Sequence, residues 1–152
     1  MKAYHSIVQA GILLHGHEHR FPKVRGDDTP IPINHPTRGK VHLYRPDASF
    51  VSAHGKFHIF EVLDSQVKDD NLTIADIIQS YLVPNVARIV FIVPTFSDQE
   101  RIQDLALIIY GRLVDMGIAE RDLRAIRFLF ITHEEARTAR RVANLLGRAF
   151  GA

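Results

Sequence analysis

The chain contains no cysteine and no tryptophan, and only two methionines, in 152 residues. Without cysteine there can be no disulfide, no thiolate metal site and no cysteine nucleophile, and the cytoplasm is the expected location. No apolar run approaches membrane-spanning length, so no membrane partner is expected. The N-terminal stretch MKAYHSIVQAGILLHGHEHRF is broken by His and Gln and does not read as a signal peptide. There is no Gly-rich phosphate loop, zinc knuckle or nucleophile elbow. A strong excess of one charge is missing too. Lys and Arg number 19 against 17 Asp and Glu, a formal net charge of +2.

What is present is globular composition, with 46% hydrophobic and 24% charged residues. The length suits one domain, residues 1–152, with a sizeable core. Arginine supplies most of the positive charge and there are nine histidines. A mildly basic, Arg-rich surface suits a polyanionic partner such as DNA.

Periodicity predicts a helix over Ala3 to His15 ending at Gly16, then a first strand over His17 to Arg25. GDDTPIPINHPTRG, residues 26–39, has three prolines and no periodicity, and reads as a long loop. Val41 to Val51 and Phe57 to Asp64 read as strands joined by the turn SAHGK. A helix follows, capped by Thr73 and ended by Pro84. RIVFIVP, from Arg88, is apolar throughout, as a buried parallel strand is. SDQE at Ser97 opens another helix, AIRFLFI at Ala125 is another strand, and THEE at Thr132 opens a last helix. The expected order is αβββαβαβα. That is an α/β fold with a mixed central sheet, an antiparallel hairpin, βαβ units and helices on both faces.

The hairpin carries the chemistry. With the turn centred on His54, Asp47 lies directly opposite Glu61, on one face, with Cβ atoms about 4.5–5.5 Å apart. Two such carboxylates repel. A divalent cation held by both, a neighbouring arginine or a shared proton would compensate them. By the same pairing Arg45 lies opposite Leu63 on the Asp47 face, and Gln66 and Lys68 lie further along, able to approach from the strand end.

The stretch RPDASFV…FHIFEVLDSQ, from Arg45 to Gln66, resembles the PD-(D/E)xK nuclease-like superfamily, which has the restriction-endonuclease-like fold. Pro46 and Asp47 match "PD" and Glu61 matches the acid. Leu63 stands where that family has its lysine. The wider neighbourhood is also similar to nuclease-like domains of plasmid replication and mobilisation proteins. The resemblance implies a metal-dependent endonuclease hydrolysing DNA phosphodiesters. Asp47, Glu61 and the Val62 carbonyl would bind Mg²⁺ or Mn²⁺, and Arg45, with Gln66 or Lys68, would assist at the phosphate. Arginine stays protonated, so Arg45 offers charge but no base. The alternative is a catalytically degenerate nuclease-fold domain that binds DNA or assembles without cutting. A homodimer is the further partner considered.

Lys23, Arg25, Arg38 and Lys40 flank the hairpin and are the expected DNA contacts. His15, His17 and His19 alternate and on a strand would share one side, with Glu18 opposite as a third acid. Gln9 could orient a metal-bound water. Gln79 is a candidate for substrate contact, and Tyr81 reads as core. Arg137, Arg141, Asn144 and Arg148 form a basic stripe that suits either phosphates or solvent.

Overall fold

The computed structural model describes residues 2–36, 39–65, 69–118 and 125–150. The chain begins with helix α1 (Lys2–Glu18), followed by five strands: β1 (Lys23–Gly26), β2 (Ile31–His35), β3 (Gly39–Tyr44), β4 (Ala48–Val51) and β5 (Phe57–Val62). Then come α2 (Asp70–Tyr81), β6 (Val86–Val93), α3 (Phe96–Asp115), β7 (Ile126–Phe130) and α4 (Ala139–Phe150). The α/β class and the mixed sheet are as the sequence implies. The main sheet has the order β1-β4-β5-β6-β7, and β2-β3 form a separate two-stranded sheet. β1, β4 and β5 pair antiparallel, whereas β5, β6 and β7 run parallel.

The sheet is covered on both faces, and alternation along its strands divides the core in two. On one side Ile59, Leu63, Ile89, Phe91 and Val93 pack against α2, α3 and the β2-β3 sheet. On the other, Ala48, Phe50, Phe60, Val62, Val90 and Ile92 pack against α1 and α4. Each fully buried side chain of this size contributes roughly 1.5–3 kcal/mol. α1 and α4 cross closely, because Gly11 has no Cβ and one built there would overlap Val142. The starts of α2 and α3 are capped. The Asp69 side chain accepts the Leu72 N–H at 2.9 Å and Thr95 accepts the Asp98 N–H at 3.0 Å. Thr73, expected as the cap of α2, is instead buried inside it.

Four expectations are corrected. The last helix, expected to open at Thr132, begins only at Ala139, and Thr132 and Glu135 instead hydrogen-bond each other's N–H groups within a turn. The segment 26–39 is not all loop, since Ile31 and Ile33 are buried in β2 while Pro32 and Asn34 face out. The prolines are tolerated because β2 belongs to a two-stranded sheet with edges that need no donor. The expected strand at 41–51 breaks into β3 and β4 at Arg45 to Asp47, where Pro46 cannot donate to a ladder. α1 continues past Gly16 to Glu18, so the first strand begins only at Lys23. Gly16 is retained inside the helix because the Phe50 ring packs where a Cβ would sit. The histidines His15 and His17 are therefore helical and do not share a side, as 100° per residue separates them widely.

Candidate carboxylate site

The hairpin turn sets the site. Ser52 and Lys56 close the loop by a main-chain hydrogen bond, and Gly55 adopts φ +76°, which glycine takes without strain. The resulting ladder pairs Ala48 with Phe60, Ser49 with Ile59, Phe50 with His58 and Val51 with Phe57. One step further along the same register Asp47 meets Glu61. Both are buried, at 7% and 1% exposure.

The two carboxylates are held by main-chain donors across the hairpin. Each grips the other strand's backbone. The Asp47 N–H donates to Glu61 Oε1 at 2.9 Å, and the Val62 N–H donates to Asp47 Oδ2 at 2.7 Å. Helix α1 supplies the rest. His5 Nε2 lies 2.9 Å from Asp47 Oδ1, and Gln9 donates to the Asp47 carbonyl at 2.7 Å. His5 and Gln9 are four residues apart, hence on one helical face. Two main-chain N–H groups and an imidazole therefore offset the like-charge repulsion. Tyr44, fully buried, lies in the field of this pair. Burial first, then the Glu61, Asp76 and Asp47 carboxylates, holds its phenol well above the ordinary tyrosine pKa.

Arg45 is the main correction. Its guanidinium is exposed and donates to the Asp27 and Asp28 carbonyls at 3.5 and 3.3 Å. β4 begins only at Ala48, so its antiparallel pairing with β5 does not extend back to Arg45. Leu63 is 1% exposed and belongs to the apolar core. Gln66, Lys68 and Arg38 lie outside the described residues, as does the side chain of Lys40. Val62 contributes its N–H to Asp47. Lys23 and Arg25 sit on the edge strand β1, paired with Val51 and Ser49, beside the hairpin strand that begins after Asp47.

The remaining candidates fall elsewhere. Glu18 pairs with Arg140 at 2.7 Å and does not reach the pair as a third acid. Gln9 holds a backbone carbonyl. Gln79 bonds His42 at 3.0 Å, and the Tyr81 hydroxyl donates to the Ala106 carbonyl inside the core. Asp64 points away from Glu61, with an oxygen 3.7 Å from His133 Nε2. A separate acid, Asp98, accepts from the Ser65 hydroxyl at 3.1 Å.

The donor set tests the expected cation. Carboxylate oxygens are the ligands that Mg²⁺ and Mn²⁺ prefer, and Mg²⁺ is commonly held by one or two carboxylates with waters completing its shell. Asp47 and Glu61 fit that minimal set in kind. Among the described residues no group of three or more His, Cys, Asp or Glu is placed to hold a metal.

The fold and this site define an α/β protein with a mixed sheet and a buried pair of acids at the end of its hairpin. No protein-family model, curated protein or solved structure matches the chain. No helix among the described residues is long and apolar enough to cross a membrane.

Proposed function

We propose that the chain is a nuclease-type domain that hydrolyses DNA phosphodiester bonds at Asp47 and Glu61 with Mg²⁺ or Mn²⁺. One observation carries the reading. The hairpin register delivers both acids to one point, and each is fixed through the other's strand by a main-chain hydrogen bond. A geometry locked in this way holds ligands without reorganisation, which is what metal-assisted hydrolysis asks of a protein. The ion, when bound, would polarise the phosphate and lower the pKa of a bound water. The chain's own residues orient the site. His5 and Gln9 hold Asp47, and Glu61 is walled by Tyr44. Lys23 and Arg25, on the edge strand beside the hairpin, would meet the DNA backbone. On this reading the protein works in the cytoplasm, alone or as a homodimer.

A second reading is favoured by Leu63. A buried leucine at the lysine position removes the ammonium that the resembled family uses, and Arg45 does not replace it. The domain would then bind DNA or assemble without cutting. Mn²⁺ titration, read by paramagnetic broadening of amide signals, separates the two when combined with plasmid nicking. Broadening centred on residues 47 and 61 together with nicking supports the first reading. DNA binding with neither result supports the second.

A further inference from the structure

The opposite end of the sheet holds a second crowd of like charges. Arg88 begins the regular part of β6, in register with His58, and Arg127 of β7 pairs with Val90. Side chains two apart on a strand share a face, as do parallel partners, so both guanidiniums rise on the face covered by α1 and α4. Glu61 alternates to the other face and lies three residues, about 10 Å, further along β5 than His58. The two sites are thus separated by both face and end.

Arg88 and Arg127 line a cavity of about 270 Å³ with Phe128, Leu129, Ala149 and Phe150. Among the described residues no acidic side chain lines it. Neither arginine makes an ion pair among the described residues, where the paired arginines are Arg101, Arg137 and Arg140. The Arg88 guanidinium rests on the Phe150 ring, 4.5 Å from its centroid, which orients the fork without neutralising it. Neighbouring groups register the unbalanced field. Burial and then Arg127 lower the Arg88 pKa, and burial and then Arg88 lower that of His58.

We propose that this corner binds a phosphate monoester group, either free phosphate or the terminal phosphate of a nucleic-acid strand. Two guanidinium forks call for an anion with several acceptor oxygens and more than one negative charge. A phosphate monoester has three such oxygens and about −1.5 to −2 charge near neutral pH. A carboxylate, with a single charge, leaves one arginine uncompensated. The cavity is smaller than the roughly 300–1,000 Å³ of typical small-molecule sites, which suits one phosphate and its first substituent. The proposal does not depend on cleavage at Asp47 and Glu61.

The full chain is titrated with inorganic phosphate, and with single strands carrying a 5′-phosphate or a 5′-hydroxyl, at constant chloride ionic strength. The amide signals of residues 88, 127 and 150 are followed. Saturable shifts with phosphate and with the phosphorylated strand are expected, and binding at least about tenfold weaker with the hydroxyl strand. Response to inorganic phosphate alone keeps the site and assigns it to the free anion. Arg127→Gln, at an exposed position, should weaken binding by about tenfold or more, the loss expected for a charge-assisted hydrogen bond. Arg127→Lys should recover only part of it, lacking the fork. Without ligand, Arg127→Gln should melt at an equal or slightly higher temperature, because it removes repulsion. The proposal is overturned if phosphate gives no saturable shift at these amides, if Arg127→Gln binds as the natural protein does, or if the hydroxyl strand binds there equally well.

Discussion

At one end of the sheet Asp47 and Glu61 bring two carboxylates together, and at the other Arg88 and Arg127 do the same with guanidiniums. The acids are compensated from within. Main-chain N–H groups of Asp47 and Val62 and the ring of His5 meet their oxygens, so this corner is part of the folded framework. The arginines have an aromatic ring and each other and, among the described residues, no acid. The difference separates two kinds of charged cluster. One is built into the hairpin, so removing the oxygens that accept its main-chain hydrogen bonds is expressed as lost stability. The other is left open, and removing a member is expressed as lost binding.

The largest expected effect comes from placing a charge where neither device exists. Leu63→Lys would put an ammonium among Ile59, Ile77 and Phe91 on the buried side of β5. An unpaired buried charge costs several kcal/mol even after relaxation. Denaturant melts should show loss of most of the folding free energy. Near-natural stability would mean that residue 63 can reach water, and would reopen the lysine position for catalysis.

Asp47→Ala strips the acceptor from the Val62 N–H and removes a partner of His5. A buried donor left unmet costs about 1–3 kcal/mol, and loss of the His5 contact adds to it. Asp47→Asn should cost less, since its amide oxygen still accepts. Equal, small effects of both in urea melts would break the claim that this corner is framework.

Acid should weaken the fold next. His15 is buried, and burial, with a smaller push from His19 and Arg88 against the opposing Glu18, lowers its pKa from 6.5 to about 4. The unfolded chain then binds the proton more readily than the folded one. The contribution of neutral His15 is complete above about pH 6.5 and is lost as pH falls through about 4, on the order of 2 kcal/mol. His58 is shifted in the same direction and adds to the slope. His15→Leu should flatten the pH dependence of stability over this window; an unchanged slope would assign it to other groups.

The smallest effect sharpens the comparison most. Glu61→Gln removes one of the like charges but keeps an oxygen for the Asp47 N–H. Its stability should change by less than about 1 kcal/mol, because lost repulsion and a weakened hydrogen bond oppose each other. A large loss would show that the Glu61 charge itself is needed by the fold.

The hairpin was legible because its cues are local. Glycine in SAHGK and the alternation of Phe57, Ile59 and Glu61 fix the register, and the register fixes the meeting of Asp47 and Glu61. β2 was hidden by Pro32 and the flanking Pro30 and Pro36, although Ile31 and Ile33 alternate as a strand should. The length of α1 was hidden at Gly16, whose role depends on Phe50, a distant residue. His5 and Tyr44 were missed for the same reason: both reach the acids only after α1 and β3 pack on the sheet. The one available signal was the four-residue spacing of His5 and Gln9. Arg45 leaves the hairpin because the ladder ends short of Pro46, a break that the alternation of the strands does not show. The Arg88–Arg127 corner needed the parallel register of β6 and β7, which no local pattern encodes.

The central claim is that the interlocked acids form a working phosphodiesterase site. It is tested most directly by incubating supercoiled plasmid DNA with Mg²⁺ or Mn²⁺ and the natural protein, Asp47→Asn or Glu61→Gln, each shown to be folded by its melting curve. The account predicts metal-dependent nicking by the natural protein. Each variant should fall by at least about 10²-fold, the loss expected when a group acting directly on the transition state is removed. Equal plasmid integrity with all three proteins, or equal nicking by all three, would contradict it.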